Sequence, residues 1–160
     1  MPAPSTSLLN LSFPSLKRRA GILILAISLA SLGTGRAVLD EALNIAFEAA
    51  VPYIEQGFEV REDNWSGEIP SGEPKLVRHQ LFRGNEYWFW LGTSFEGCEL
   101  TLEIFDGEGN PVGIESFTSD FTAGVRVLPS KTGTYFLRVT VKSKTDAEPV
   151  LDWALVYGYR

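Results

Sequence analysis

Cysteine and histidine are almost missing from this sequence, which contains one of each, Cys98 and His79. One cysteine cannot form an intramolecular disulfide, which excludes the small secreted scaffolds that disulfides hold together. One histidine cannot build a metal site from several imidazole ligands. The fold must therefore depend on packing, and the acids Glu96 and Glu99 beside Cys98 favour a small structural residue over a reactive thiolate.

Basic side chains are scarce beyond the first 37 residues. Four of the 14 Lys and Arg residues lie in that first stretch, which has no acidic residue, so residues 38–160 carry 10 basic and 20 acidic side chains. Their net charge of −10 repels phosphate backbones and removes the usual electrostatic attraction to nucleic acids. We therefore expect no nucleic-acid partner and no attraction to anionic membrane surfaces.

A long apolar run is missing as well, because the longest one, 20–32, falls short of the roughly 20 residues that a transmembrane helix needs. This run follows Lys17-Arg18-Arg19 and precedes the small residues around Ala37. Basic, apolar and small residues in that order predict a secretory signal peptide over 1–37, cleaved after Ala37. The mature chain is then secreted or periplasmic, without stable membrane insertion. An organellar transit peptide and an uncleaved membrane anchor are the alternatives.

Residues 38–58 have helical periodicity. Pro52 favours an end or a kink near Ala50, and Gly57 is a natural stop. A single helix of this length is marginal alone, so its apolar face is expected to pack on the rest of the domain. The apolar side chains recur every three or four positions, at Leu39, Leu43, Phe47, Ala50 and Ile54.

Beyond residue 59 the apolar period changes to two, with turn residues about every ten positions. This pattern predicts a mainly β fold, a jelly-roll-like antiparallel β-sandwich over 59–160 that follows the N-terminal helix. Seven strands are expected, at 76–82, 87–93, 100–105, 111–116, 124–128, 134–142 and 151–158.

Residues 68–159 resemble the bacterial pre-peptidase C-terminal domain. The strand, glycine turn and aromatic strand at 79–89 look like that family, and so does the hairpin at 100–112. The strand entry Thr132-Gly133-Thr134-Tyr135 and the closing strand at 153–157 are similar too. The resemblance implies a jelly-roll-like sandwich without catalytic activity, with a role in secretion, substrate adhesion or propeptide behaviour, and some members bind calcium. The chain departs from the family in having a helix upstream instead of a peptidase domain.

Two places in the sequence have polar residues that could catalyse a reaction or bind a metal ion. His79 lies on an apolar strand face, and no nucleophile stands in a recognisable motif, which favours a structural histidine. Asp106, Glu108 and Asn110 place three oxygen-bearing side chains at alternate positions, which allows calcium. The spacing departs from an EF-hand loop, so a hairpin turn is the preferred interpretation and no cofactor is expected.

The densest aromatic run is 87–90. Strand alternation sends Trp88 and Trp90 to one face and Tyr87 and Phe89 to the other. Leaving two tryptophans in water would lose several kcal/mol of burial free energy, so we expect the helix or a loop to cover them. The alternative is an exposed platform, at which Trp88 and Trp90 bind a carbohydrate or a protein partner.

Together these features predict an exported, non-catalytic binding or interaction module with a protein or carbohydrate partner. One alternative is a structural or stabilising component of the cell envelope, in which the helix mediates assembly. Another is a carbohydrate-binding module that uses the two tryptophans of the aromatic run. A hydrolase has the least support, because one histidine without an activated nucleophile offers no catalytic pair.

Overall fold

The computed structural model describes residues 34–145 and 149–160. The predicted signal peptide covers 1–37, and its residues 1–33 lie outside the described part. Within the described ranges, no helix meets the combined requirement of length and hydrophobicity for a membrane span. These ranges form one helix, α1 (Thr34–Ile54), and eight strands, β1 (Glu59–Pro70), β2 (Pro74–Leu81), β3 (Tyr87–Gly92), β4 (Cys98–Phe105), β5 (Glu115–Thr118), β6 (Thr122–Val127), β7 (Gly133–Ser143) and β8 (Val150–Tyr159).

The strands form two antiparallel sheets. The larger sheet has the order β1-β8-β3-β6-β5, and the smaller one has the order β2-β7-β4. The predicted mainly β class is confirmed, whereas the strand count is not, because β1 was not expected. The run Arg61-Glu62-Asp63-Asn64 is polar throughout and hides the alternation that would have indicated a strand there.

The fourth predicted strand, 111–116, is displaced in the structure. Pro111 forms only an isolated bridge with Phe105, and β5 begins at Glu115. The backbone N–H of Ile114 already bonds to the carbonyl of Arg126, in the larger sheet. The chain therefore changes sheets within the segment that the sequence pattern assigned to one strand.

One hydrophobic core lies between the two sheets. Leu100, Leu102 and Ile104 of β4 alternate with polar residues and join the same buried cluster as Val125 and Leu155 of the larger sheet. Alternate side chains of each strand thus point inward, as the period of two predicted.

Strand β3 is buried on both faces, and every one of its residues is buried. Tyr87, Phe89 and Leu91 point into the core between the sheets, whereas Trp88 and Trp90 join a second cluster with helix α1. Trp88 is 3% exposed and Trp90 is 0% exposed. The expectation that the helix or a loop covers the two tryptophans is therefore confirmed, and the helix provides the cover.

Helix α1 contacts the larger sheet through small residues. Ala42, Ala46 and Ala50 are fully buried, whereas Ile54, which the sequence placed on the packed face, is 53% exposed. A Cβ added at Gly92 would lie 2.5 Å from the carbonyl oxygen of Ala42 and 2.8 Å from the nitrogen of Ala46. The helix backbone therefore approaches β3 too closely for large side chains, and alanines define the contact.

Candidate functional site

A β-bulge in β1 forms the most distinctive local geometry of the larger sheet. Val60 pairs with Gly158 and Asn64 pairs with Val156, so β1 uses two more residues than β8 between the same two pairs. The three residues in between, 61–63, leave the regular ladder. Bulges re-aim side chains and are frequent next to functional sites, which makes this region the first candidate.

A pocket of about 260 Å³ opens beside the bulge. This volume is slightly below the range of about 300–1,000 Å³ typical of ligand pockets, so it suits a ligand no larger than one sugar ring. The lining combines aromatic rings with polar groups from β1, β2, β3, β8 and the loop between β2 and β3. We call it the bulge pocket; its lining residues are Arg61, His79, Phe82, Asn85, Tyr87, Tyr157 and Tyr159.

Aromatic contacts hold His79 at the wall of the bulge pocket. Its ring centroid lies 4.5 Å from that of Tyr157 and 5.1 Å from that of Trp65, which meets it edge-on at 78°. The ring of Phe89 lies behind it at 6.2 Å. His79 shares its strand face with core residues, as the sequence predicted, and remains partly exposed toward the pocket.

Burial sets the charge state of the two central groups. It lowers the pKa of His79, which the nearby Asp63 carboxylate raises to a lesser extent. Burial also raises the pKa of Tyr157. At neutral pH the wall therefore presents a neutral imidazole and a protonated phenol, which are hydrogen-bonding groups without charge.

The remaining polar groups are held by local contacts. The Tyr87 hydroxyl accepts hydrogen bonds from the backbone N–H of Phe82 at 3.1 Å and from Asn85 Nδ2 at 3.2 Å, and keeps its own proton for donation. Arg61 forms an ion pair with Glu59, and its guanidinium lies 5.9 Å from the ring centroid of Tyr159. Ring faces and hydrogen-bond donors therefore converge on the same small volume.

The lining of the bulge pocket offers aromatic and hydrogen-bonding groups. Among the described residues that line the bulge pocket, none offers an aliphatic hydroxyl or a thiol that His79 could activate. The groups present can stack against one apolar face of a ligand and hydrogen-bond to its hydroxyl or carbonyl groups.

The exposed platform proposed for Trp88 and Trp90 is wrong. Both indoles lie beneath helix α1, and Tyr53 packs against them with ring centroids 4.7 Å and 5.2 Å away. Stacking on a sugar requires an accessible ring face, and burial of both rings removes it. The two tryptophans serve the contact between the helix and the sheet.

The second predicted site, Asp106, Glu108 and Asn110, is a hydrogen-bonded turn. Asp106 Oδ1 accepts hydrogen bonds from the backbone N–H groups of Glu108 and Asn110, each at 2.9 Å. Glu108 pairs with Lys131 at 2.7 Å. Across residues 34–145 and 149–160 there is no cluster of three or more His, Cys, Asp or Glu side chains arranged to hold a metal ion. Both carboxylate oxygens of Asp106 and Oε1 of Glu108 thus have partners within the protein.

Sequence reasoning identified one member of the bulge pocket, His79, and interpreted it as structural. It missed Arg61, Tyr157 and Tyr159, which come from strands far apart in sequence. The only available signal was the interruption of alternation at 61–64, which marks a bulge only once β1 is known to be a strand. No protein-family model matches this chain, and no curated protein is similar to it in sequence.

Proposed function

We propose that the chain is an exported, non-catalytic binding module that holds a small polar ligand in the bulge pocket. The observation that carries the proposal is the lining itself, in which the partly exposed Tyr159 offers a ring face beside the donors of Arg61 and Asn85. The neutral His79 adds a further hydrogen-bonding group without a nucleophile beside it. A single sugar ring combines the apolar face and the hydroxyl groups that such a wall accommodates.

The ligand test is a titration of the isotope-labelled protein, followed by NMR. Methyl glycosides of glucose, galactose and N-acetylglucosamine serve as probes at concentrations up to tens of millimolar. We expect at least one of them to shift the resonances of His79, Tyr157 and Tyr159, and Arg61→Ala to weaken that binding. Arg78→Ala, an exposed arginine on the other face of β2, is the matched control and should have no effect. Shifts confined to other regions, or none with any probe, would refute the proposal.

We infer that the domain is a jelly-roll-like β-sandwich of the pre-peptidase C-terminal type. Eight strands in two sheets with a shared core support this inference, as does the alternation of β1 to β4 between the larger and the smaller sheet. The stretch 79–89 that resembles the family runs from the end of β2 through a turn at Gly84, where φ is +100°, into β3. The two sheets differ in size, because β5 pairs with β6 and extends the larger sheet to five strands.

Export is part of the same proposal. Its support is the order of basic residues, apolar run and small residues in 1–37. Mass spectrometry of the protein recovered from the medium or the periplasm should find an N-terminus near Val38. An intact Met1 in the membrane fraction would contradict export by a cleaved signal peptide.

A structural or stabilising role in the cell envelope is the second candidate. The burial of Trp88 and Trp90 beneath α1 favours it, because the most aromatic strand is used for internal packing. Light scattering after size exclusion distinguishes the two candidates. A defined oligomer that forms without ligand, in a protein that binds none of the glycoside probes, would support this candidate and oppose the first.

A further inference from the structure

Strand β4 is an edge of the smaller sheet. The order β2-β7-β4 leaves its second side without a partner strand among the described residues. Only its C-terminal end is met by another segment, through the bridge of Phe105 with Pro111 and the bond from Val112 N–H to the carbonyl of Ile104. The part of β4 before Ile104 therefore has an open edge.

The hydrogen bond from Val112 N–H to the Ile104 carbonyl shows which way the backbone groups on this edge point. Because the Ile104 carbonyl points away from β7 toward Val112, the residues two and four positions earlier, Leu102 and Leu100, point their N–H and C=O groups to the same open side. Backbone donors and acceptors in such a row are the template on which another strand pairs.

A groove lies beside residues 102–104, at the C-terminal end of β4. After Val112, which still bonds to β4, the chain crosses at Gly113, where an added Cβ would lie only 2.8 Å from Val125 Cγ2, and joins the larger sheet at Ile114. Residues 111–116 and β4 enclose about 360 Å³ here, with Leu102 and Pro111 among the lining residues. Ile114, another lining residue, is 51% exposed, so the groove offers an accessible aliphatic contact.

Carboxylates border the same groove. Glu103 and Glu115 pair with Arg138 and Arg126, yet the two glutamate side chains remain 39% and 55% exposed. Residues 38–160 carry a net charge of −10, which repels an acidic segment and attracts a basic one. The groove therefore combines open backbone groups, an aliphatic wall and two partly exposed carboxylates on a chain of negative net charge.

We propose that the open edge of β4 binds an extended, basic peptide segment of a partner protein, which adds to the smaller sheet as a fourth strand. Strand addition satisfies the backbone groups of Leu100 and Leu102, while alternate side chains of the peptide contact Ile114 and the two glutamates. A second copy of the chain is a poorer occupant, because its own β4 would bring Glu99 and Glu103 against the same acidic border. This surface lies between β4 and β5, whereas the bulge pocket lies beside β1 and β2, so the two sites are separate.

The test uses the purified protein and a capped synthetic peptide of alternating lysine and valine, of about strand length. We expect the amides of Leu100 and Leu102 to shift in NMR spectra and to become protected from hydrogen exchange. The same peptide methylated on alternate backbone nitrogens should lose binding, because it cannot complete the ladder, and a glutamate–valine peptide should not bind.

Ile114→Lys is the informative protein variant, because it places a cation in the groove at an exposed position. It should weaken the binding of the lysine–valine peptide at least about tenfold. Leu76→Lys, 62% exposed on β2, is the matched control and should bind as the wild type does. Equal binding by Ile114→Lys, protection of amides elsewhere, or self-association that protects Leu100 and Leu102 without peptide would overturn the proposal. The glycoside titration tests the bulge pocket separately. A negative result at one site therefore leaves the proposal for the other site standing.

Discussion

His79 links the bulge pocket to the pH dependence of stability. Its pKa is lowered in the folded protein because burial disfavours the imidazolium form. Protonation therefore favours the unfolded chain: the stabilisation is present above the unfolded value of about 6.5 and is lost as the pH falls through the folded pKa.

Between about pH 7 and about pH 5, we expect the melting temperature to fall further in the wild type than in His79→Gln. Both proteins share all carboxylates, so the difference between them isolates the histidine. Thermal unfolding followed by circular dichroism is the measurement. A steeper loss in His79→Gln than in wild type would contradict the assigned burial of the imidazole.

Asp106 is central to both interpretations of the segment 106–110, as a hairpin turn and as a calcium site. Its hydrogen bonds with the side chain and backbone of Asn110 hold the pKa of Asp106 below its usual range. A depressed carboxyl pKa gives stability that is present above the unfolded value of about 3.9 and is lost as the pH falls through the folded pKa.

Asp106→Ala should therefore lower the melting temperature at neutral pH, and the difference from wild type should vanish in acid. Glu108→Gln is the control, because it removes only an exposed ion pair with Lys131 and should have little effect. Millimolar calcium should leave the wild-type melting temperature unchanged. A calcium-dependent rise that Asp106→Ala abolishes would establish the metal site instead.

At the scale of elements, the contact between α1 and β3 depends on the absence of one side chain. Gly92→Ala would drive a methyl group into the backbone of the helix at Ala42 and Ala46. We expect a loss of about 1–3 kcal/mol in the free energy of unfolding, as for other overpacked sites, and a red shift in the fluorescence of Trp88 and Trp90.

The matched control for this substitution is Gly133→Ala in β7. A Cβ there has no heavy atom within 4 Å, and the backbone does not require glycine. Its stability in a urea titration should match that of the wild type. If Gly92→Ala were equally stable, the close approach of helix and strand would be wrong.

The element scale also separates what periodicity can and cannot predict. Strand β3 was predictable because alternation of aromatic residues requires a cover on each face, and burial of two tryptophans stabilises the cover. Helix α1 was predictable as an element. The predicted contact face wrongly included Ile54, which is exposed. Large apolar residues dominate a periodicity count, whereas the close approach of two backbones selects alanine.

At the scale of the whole molecule, one carboxylate ties together segments from distant parts of the chain. Glu86 Oε1 accepts from Arg126 at 2.9 Å, and its Oε2 accepts from Arg160 at 2.9 Å. Arg160 also donates to the carbonyl of Gln56, just after the helix, and lies 4.6 Å from the ring centroid of Phe58. The turn before β3, strand β6 and the end of α1 are thus held at one point.

Glu86→Gln should cost about 1–2 kcal/mol in the free energy of unfolding, because the Glu86 side chain is 15% exposed and the pair lies between surface and buried cases. Glu103→Gln breaks a more exposed pair with Arg138 and should cost less than about 1 kcal/mol. Chemical denaturation of both variants gives the comparison. Equal losses would contradict the role of Glu86 as the central partner.

The sequence by itself determined the mainly β class, the helix before the strands, the in-and-out alternation of β3 and β4, and the absence of a multi-histidine metal site. Each of these follows from local periodicity or from residue counts, which need no knowledge of distant contacts. Only the tertiary structure decided the sheet in which β5 pairs, the bulge in β1, and the meeting of Arg61, His79 and Tyr157 in one pocket. These features depend on contacts between residues far apart in the chain, and a one-dimensional pattern contains no information about which distant strands become neighbours.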